Sequence, residues 1–154
     1  MRRDFWKGIR HFRPEEFGPN PEVGNRINPH LVSRLEALRE FVGKPIIIHE
    51  AFVPDSSRNH APGSQHYLGN AADLHIEGLS LIEMYLVAER FNFTGVGLYG
   101  PDVWRNPGLH LDVRPLAEGQ PGARWGCKMV EGKRVYVPLD ENFIKHILEV
   151  QGER

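Results

Sequence analysis

Two short apolar stretches, residues 71–76 and 109–113, each carry a histidine and an aspartate where an extended chain would place them together on one face. In the first, Ala72, Leu74 and Ile76 fall on one side and Ala71, Asp73 and His75 on the other; the second repeats the pattern with His110 and Asp112. Burying an ionised aspartate costs several kcal/mol unless it is paired or bound to a metal. Any fold that buries these strands must therefore bring partners or a cation to their polar faces. Histidine and aspartate together suit zinc, and a catalytic zinc takes three protein ligands and leaves a fourth position for water, whose pKa falls to about 7. The chain holds one cysteine, Cys127, so an intramolecular disulfide and a cysteine-rich metal site are both excluded. An unpaired cysteine of this kind is expected to behave as a small apolar side chain rather than a nucleophile.

The remaining pattern supplies the scaffold. Residues 28–43 predict a helix, with Asn28 as N-cap, Pro29 at the first helical position, Leu31, Leu35, Leu38 and Val42 on one face, and Gly43 as the stop. Residues 45–49 form a β-branched run of the kind found in buried strands. Residues 53–65, rich in Pro, Ser, Asn and Gly, predict a long loop, and loops of that length in compact domains are usually functional. Ser80 and Glu83 have capping-box spacing and open a helix to about Phe91. Residues 94–98 add a strand, residues 128–137 a hairpin turning at Glu131-Gly132-Lys133, and residues 141–150 a closing helix with Phe143, Ile147 and Val150 inward. The sum is one α+β domain over residues 1–154, with a small central antiparallel sheet and flanking helices.

Within the segment Ser64-Gln65-His66-Tyr67-Leu68-Gly69-Asn70-Ala71-Ala72-Asp73, Gly69 permits a sharp turn that lets His66 and Asp73 converge, and His110 is placed to join them from a neighbouring strand. Ser64, His66, Gly69, Ala71 and Asp73 resemble the S-x-H-x-x-G-x-A-x-D signature of peptidase family M15. That family contains zinc-dependent carboxypeptidases and endopeptidases of peptidoglycan, including phage endolysins. Downstream, Gly95-Val96-Gly97-Leu98-Tyr99, His110-Leu111-Asp112 and Arg124-Trp125 are similar to the G-V-G-x-Y, H-x-D and R-W segments of a branch often placed in its subfamily A. The resemblance implies the fold shared with the hedgehog signalling domain, one Zn2+ held by His66, Asp73 and His110, and a peptide substrate from the bacterial cell wall.

For the general base, Asp112 is the first candidate, with orientation of His110 or binding of Arg114 as its rival role. Asp102, on the turn before the strand, is the nearest upstream acid, because residues 104–109 contain none. His75 is weighed as a hydrogen-bond donor to the transition state, against an ordinary strand histidine. Ser64, Arg58, Tyr99 and Trp125 are candidates for substrate contact; Arg58 stands in for an arginine that many relatives carry just after the preceding strand, where this chain reads His49-Glu50-Ala51-Phe52-Val53. His49, His60 and His146 are read as ordinary surface or helix residues.

The formal net charge of -1, with both signs interspersed, lacks the basic footprint of a nucleic-acid binder. No membrane span is expected. The opening Met-Arg-Arg-Asp-Phe-Trp has no apolar signal core, which leaves a cytoplasmic protein, a phage-type enzyme released by another factor, or a trimmed periplasmic or secreted form as expectations. Two functions follow: a zinc peptidase of the D,D or L,D type acting on stem or cross-link peptides, or a catalytically inactive binding module that keeps zinc as a structural clip.

Overall fold

The computed structural model describes residues 3–54 and 60–152. Six strands form one sheet: β1 (Ile46–Glu50), β2 (Ala71–Ile76), β3 (Gly95–Tyr99), β4 (Gly108–Asp112), β5 (Ala123–Val130) and β6 (Lys133–Pro138). Their spatial order is β1-β2-β4-β3-β5-β6. All neighbours are antiparallel except β3 and β5, which run parallel: the chain returns along β4, antiparallel to β3 on one side, and then crosses to the other side of β3 to enter β5. The helices are α1 (Arg3–Lys7), α2 (Val23–Arg26), α3 (Pro29–Val42), α4 (Leu81–Ala88) and α5 (Glu141–Gly152). This is the expected α+β architecture. Among the described residues no helix is long and apolar enough to cross a membrane.

Helix α3 begins and ends as its sequence dictates. The Asn28 side chain accepts the His30 backbone N–H, and Gly43 closes the helix in the left-handed conformation at φ 65°. Ser80 and Glu83 form the reciprocal capping box of α4. The chain beyond α4 tightens into a 3-10 turn over Glu89–Phe91.

Strand alternation sorts the sheet into two faces. Ala72 pairs with Leu111 and Leu74 with Leu109, and with Val96 and Leu98 these fully buried side chains meet the helices. On the same side the Phe143 ring of α5 lies over Gly126, where any Cβ would overlap it. The N-terminal segment adds Phe12 and Phe17 to the core, with ring centroids 5.7 Å apart. The opposite face carries Asp73, His110 and Asp112.

Strand β1 departs from expectation. It is an edge strand of alternating burial rather than a buried one, and its pairing with β2 slips between Ile48 and Glu50. Such a bulge sets two residues against one and re-aims side chains. Here Glu50 lies opposite Asp73, while His49 turns toward His75.

Candidate metal centre and cleft

His66, Asp73 and His110 are buried together, and one ligand atom from each lies within 4.8 Å of the others. Strands β2 and β4 bring Asp73 and His110 into direct register, so their side chains leave the same face as neighbours. His66 comes from the loop. Its backbone N–H donates to the Ser64 hydroxyl at 3.2 Å, and Gly69, at φ 74°, turns the chain back against Arg26 where a side chain would strike the Arg26 carbonyl. The turn is tied to α3: Asn28 N–H donates to the Gly69 carbonyl at 2.8 Å, and the Asn28 amide donates to Asn70 Oδ1 at 3.0 Å.

The hydrogen bonds settle which ring nitrogens face inward. His66 Nδ1 lies 2.8 Å from the Ala51 carbonyl oxygen, which can only accept, so Nδ1 carries a proton and Nε2 points to Asp73 Oδ1 at 3.2 Å. His110 Nε2 donates to Asp112 Oδ2 at 2.7 Å, leaving Nδ1 3.1 Å from the same Asp73 oxygen. Two inward nitrogens and a carboxylate oxygen thus converge, while each outward N–H has its own acceptor. That is the outer hydrogen bonding found behind metal-bound histidines.

Electrostatics in the metal-free state follow from this packing. Burial acts to raise the Asp73 pKa, but the hydrogen bonds from His110 and His66 outweigh it and hold the carboxyl well below its ordinary range. Burial acts to lower the His110 pKa, yet the Asp112 and Asp73 carboxylates lift it to about 9. Asp112 behaves like Asp73, its burial outweighed by His110 and Arg114. With no metal present, His110 is a cation shared by two carboxylates. The donor set fits zinc: exchanging that proton for a divalent cation keeps every partner in place.

Asp112 is fully buried and takes up its oxygens on His110 and Arg114, whose Nη2 lies 2.6 Å from Oδ2. This geometry is the orienting role weighed for it from the sequence. Glycines on β3 make room for Asp112 and for Trp125. A Cβ at Gly95 would overlap both Asp112 carboxylate oxygens, and one at Gly97 would overlap the Trp125 ring.

A cavity of about 660 Å³ opens over the cluster, bordered by Glu50, His60, Tyr99, Trp104, Trp125 and Arg134 among others. Ser64, Tyr99 and Trp125, singled out from sequence, all border it; Arg58 lies outside the described residues. Trp125 Nε1–H donates to the Tyr99 hydroxyl at 3.2 Å, and Tyr99 stacks on Trp104 with ring centroids 4.1 Å apart. Asp102 is elsewhere. Its Oδ2 accepts the Met129 backbone N–H at 3.1 Å and lies 2.9 Å from His146 Nε2, so it braces the turn against β5 and α5. His75 faces the same side of β2 as Asp73 but sits 2.5 Å from His49 and does not border this cavity.

Two groups went unseen in the sequence. His60 stacks on His66 with ring centroids 4.2 Å apart and planes 16° from parallel, and its Nε2 lies 3.3 Å from Glu50 Oε2. Both backbone groups of His60 are held by the Tyr67 hydroxyl. His60 is therefore not a simple surface residue, whereas His49 is exposed beside His75, and His146 is the partner of Asp102. The only advance signal was that His60 lies in a long loop close to His66. Cys127 is buried, and burial pushes its thiol pKa up, as suits an inert side chain.

Comparison with known proteins agrees with this geometry. A family model described as Peptidase M15 matches residues 10–112. No curated protein matches the chain.

Proposed function

The chain belongs to the M15 peptidase family, and from that premise we propose that it is a zinc-dependent peptidase hydrolysing stem or cross-link peptides of peptidoglycan, as a D,D- or L,D-type carboxypeptidase or endopeptidase. The observation that carries this reading is the convergence of His66 Nε2, His110 Nδ1 and Asp73 Oδ1 beneath an open cavity, with each outward ring N–H already satisfied. When bound, zinc polarises a scissile carbonyl and lowers the pKa of water toward neutrality.

The protein's own residues divide the remaining work. Asp112 accepts the Nε2–H of His110 and, anchored by Arg114, fixes that ring so that Nδ1 stays available. Ala51 does the same for His66 through its carbonyl. Glu50 borders the cavity opposite Asp73 across the β1-β2 ladder, which supports its carboxylate as the group that takes a proton and returns it to a leaving amine. His60 Nε2 lies 3.3 Å from Glu50 Oε2 without forming a hydrogen bond. The Tyr99-Trp104 stack and Trp125 wall the cleft and exclude water from a bound peptide.

The test is release of new amino groups from purified peptidoglycan. Zinc-loaded wild type should release them, chelator-treated protein and His66→Ala should not, and Glu50→Gln should keep its metal while losing most turnover. Bound zinc with no cleavage in the wild type would instead support the inactive binding module.

A further inference from the structure

The cavity is polarised by the order of the strands. Glu50 stands on β1 at one edge of the sheet, Asp73 and His110 on β2 and β4 with His66 from the adjoining loop, and Arg134 on β6 at the other edge, yet all border one cavity. Of the two arginines among the described residues that border it, Arg114 is committed to Asp112 through its Nε and Nη2. Arg134 makes no ion pair or side-chain hydrogen bond among the described residues. It pairs in register with Met129, and Tyr136 pairs with Cys127, so both project from β6 on the side that carries Trp125 and His110. Tyr136 is 60% exposed. A guanidinium and a phenol two positions apart on one face, open to the cleft and without an ion pair or side-chain hydrogen bond among the described residues, form a fork for an anion.

We propose that Arg134, assisted by the Tyr136 hydroxyl, is a specificity-determining residue that binds a carboxylate of the peptide substrate; the inference rests on the peptidase reading above. Three strand spacings separate β4 from β6, roughly 14 Å across the sheet, and the arginine side chain reaches part of the way back. The carboxylate it binds therefore belongs to a residue near the scissile bond but not to the carbonyl being attacked. Glu50, at the other edge, disfavours the reverse orientation of the peptide by like-charge repulsion. Arg134 and Tyr136 lie on β6, beyond residues 10–112 that the family model matches.

The test uses three synthetic peptides: L-Ala-γ-D-Glu-L-Lys-D-Ala-D-Ala, its C-terminal amide, and the version amidated at the D-Glu α-carboxyl. Binding to the zinc-loaded protein is measured by calorimetry, and hydrolysis is followed in parallel samples. Wild type should bind the unmodified peptide about tenfold more tightly than one of the two amides, in line with a partly exposed charge-assisted contact. Arg134→Gln should erase that preference while keeping bound zinc and melting temperature, and Arg134→Lys should restore part of it. Equal binding of all three peptides by wild type, no binding of any, or an unchanged preference in Arg134→Gln would overturn the proposal. Preference without hydrolysis would remove the peptidase reading alone, and hydrolysis without preference would remove the Arg134 proposal alone.

Discussion

Replacing Gly95 by alanine adds one methyl group and touches no charge, yet it should weaken the metal centre. The new Cβ would coincide with both carboxylate oxygens of Asp112, a fully buried residue directly across the β3-β4 ladder. Asp112 would have to move, and with it the 2.7 Å bond to His110 Nε2 and the 2.6 Å contact with Arg114 Nη2. Breaking a buried pair of this kind costs about 3–5 kcal/mol. For a chain of this size that corresponds to a melting temperature lower by roughly 10 °C in the metal-free protein. Loss of the group that orients a metal-bound histidine lowers metal affinity by roughly 10- to 100-fold. Thermal unfolding with and without zinc, together with competition against a chelator of known affinity, reads both effects. Asp112→Asn is the reference, since it removes the charge without the clash. A Gly95→Ala protein with wild-type melting temperature and wild-type zinc affinity would refute the argument that the glycine exists to seat Asp112.

Other expectations concern pH, packing and the second histidine pair. His110 has a raised folded-state pKa of about 9 in the metal-free protein, so its contribution to stability is full below its unfolded value near 6.5 and is lost as pH rises through 9. Metal-free protein should therefore lose stability between about pH 6.5 and 9, whereas apparent zinc affinity should rise up to tenfold per pH unit over that window as the proton on His110 ceases to compete. Asp73 and Asp112 have lowered pKa values, so their contribution is present above about pH 4 and fades as pH falls below it, which acid titration of the metal-free fold would show. Phe143→Ala removes a ring that is 2% exposed and packed over Gly126; it should cost about 3–5 kcal/mol by chemical denaturation and leave zinc affinity unchanged. His75→Ala should also leave zinc binding intact, because its partner is His49 and not the cluster; a loss of bound metal would contradict that assignment.

Elements whose instructions are local were legible from residues alone. Asn28, Pro29 and Gly43 bound α3, Ser80 and Glu83 open α4, and the alternation in Ala71–Ile76 sets Asp73 on the polar face. The three converging ligands were legible as well, because the spacing around Gly69 and the motif resemblance name them. What escaped depends on pairing between distant segments. The bulge that sets Glu50 against Asp73 and leaves His49 beside His75 exists only against β2. The stacking of His60 on His66 requires the loop to close, with Tyr67 holding both backbone groups of His60. Asp102 read as a mobile turn acid until Met129 and His146 supplied partners 27 and 44 residues away. The start of β5 at Ala123 was missed because its first residues carry no alternation of burial; they are drawn into the sheet by parallel pairing with β3.

The central claim is that His66, Asp73 and His110 bind zinc, and the most direct measurement is the metal content of the purified protein beside His66→Ala and Asp73→Ala. The account predicts one zinc per chain in the wild type, lost in both variants while each remains folded by circular dichroism. A wild type that holds no zinc after exposure to it, or variants that retain it at full stoichiometry, would contradict the account.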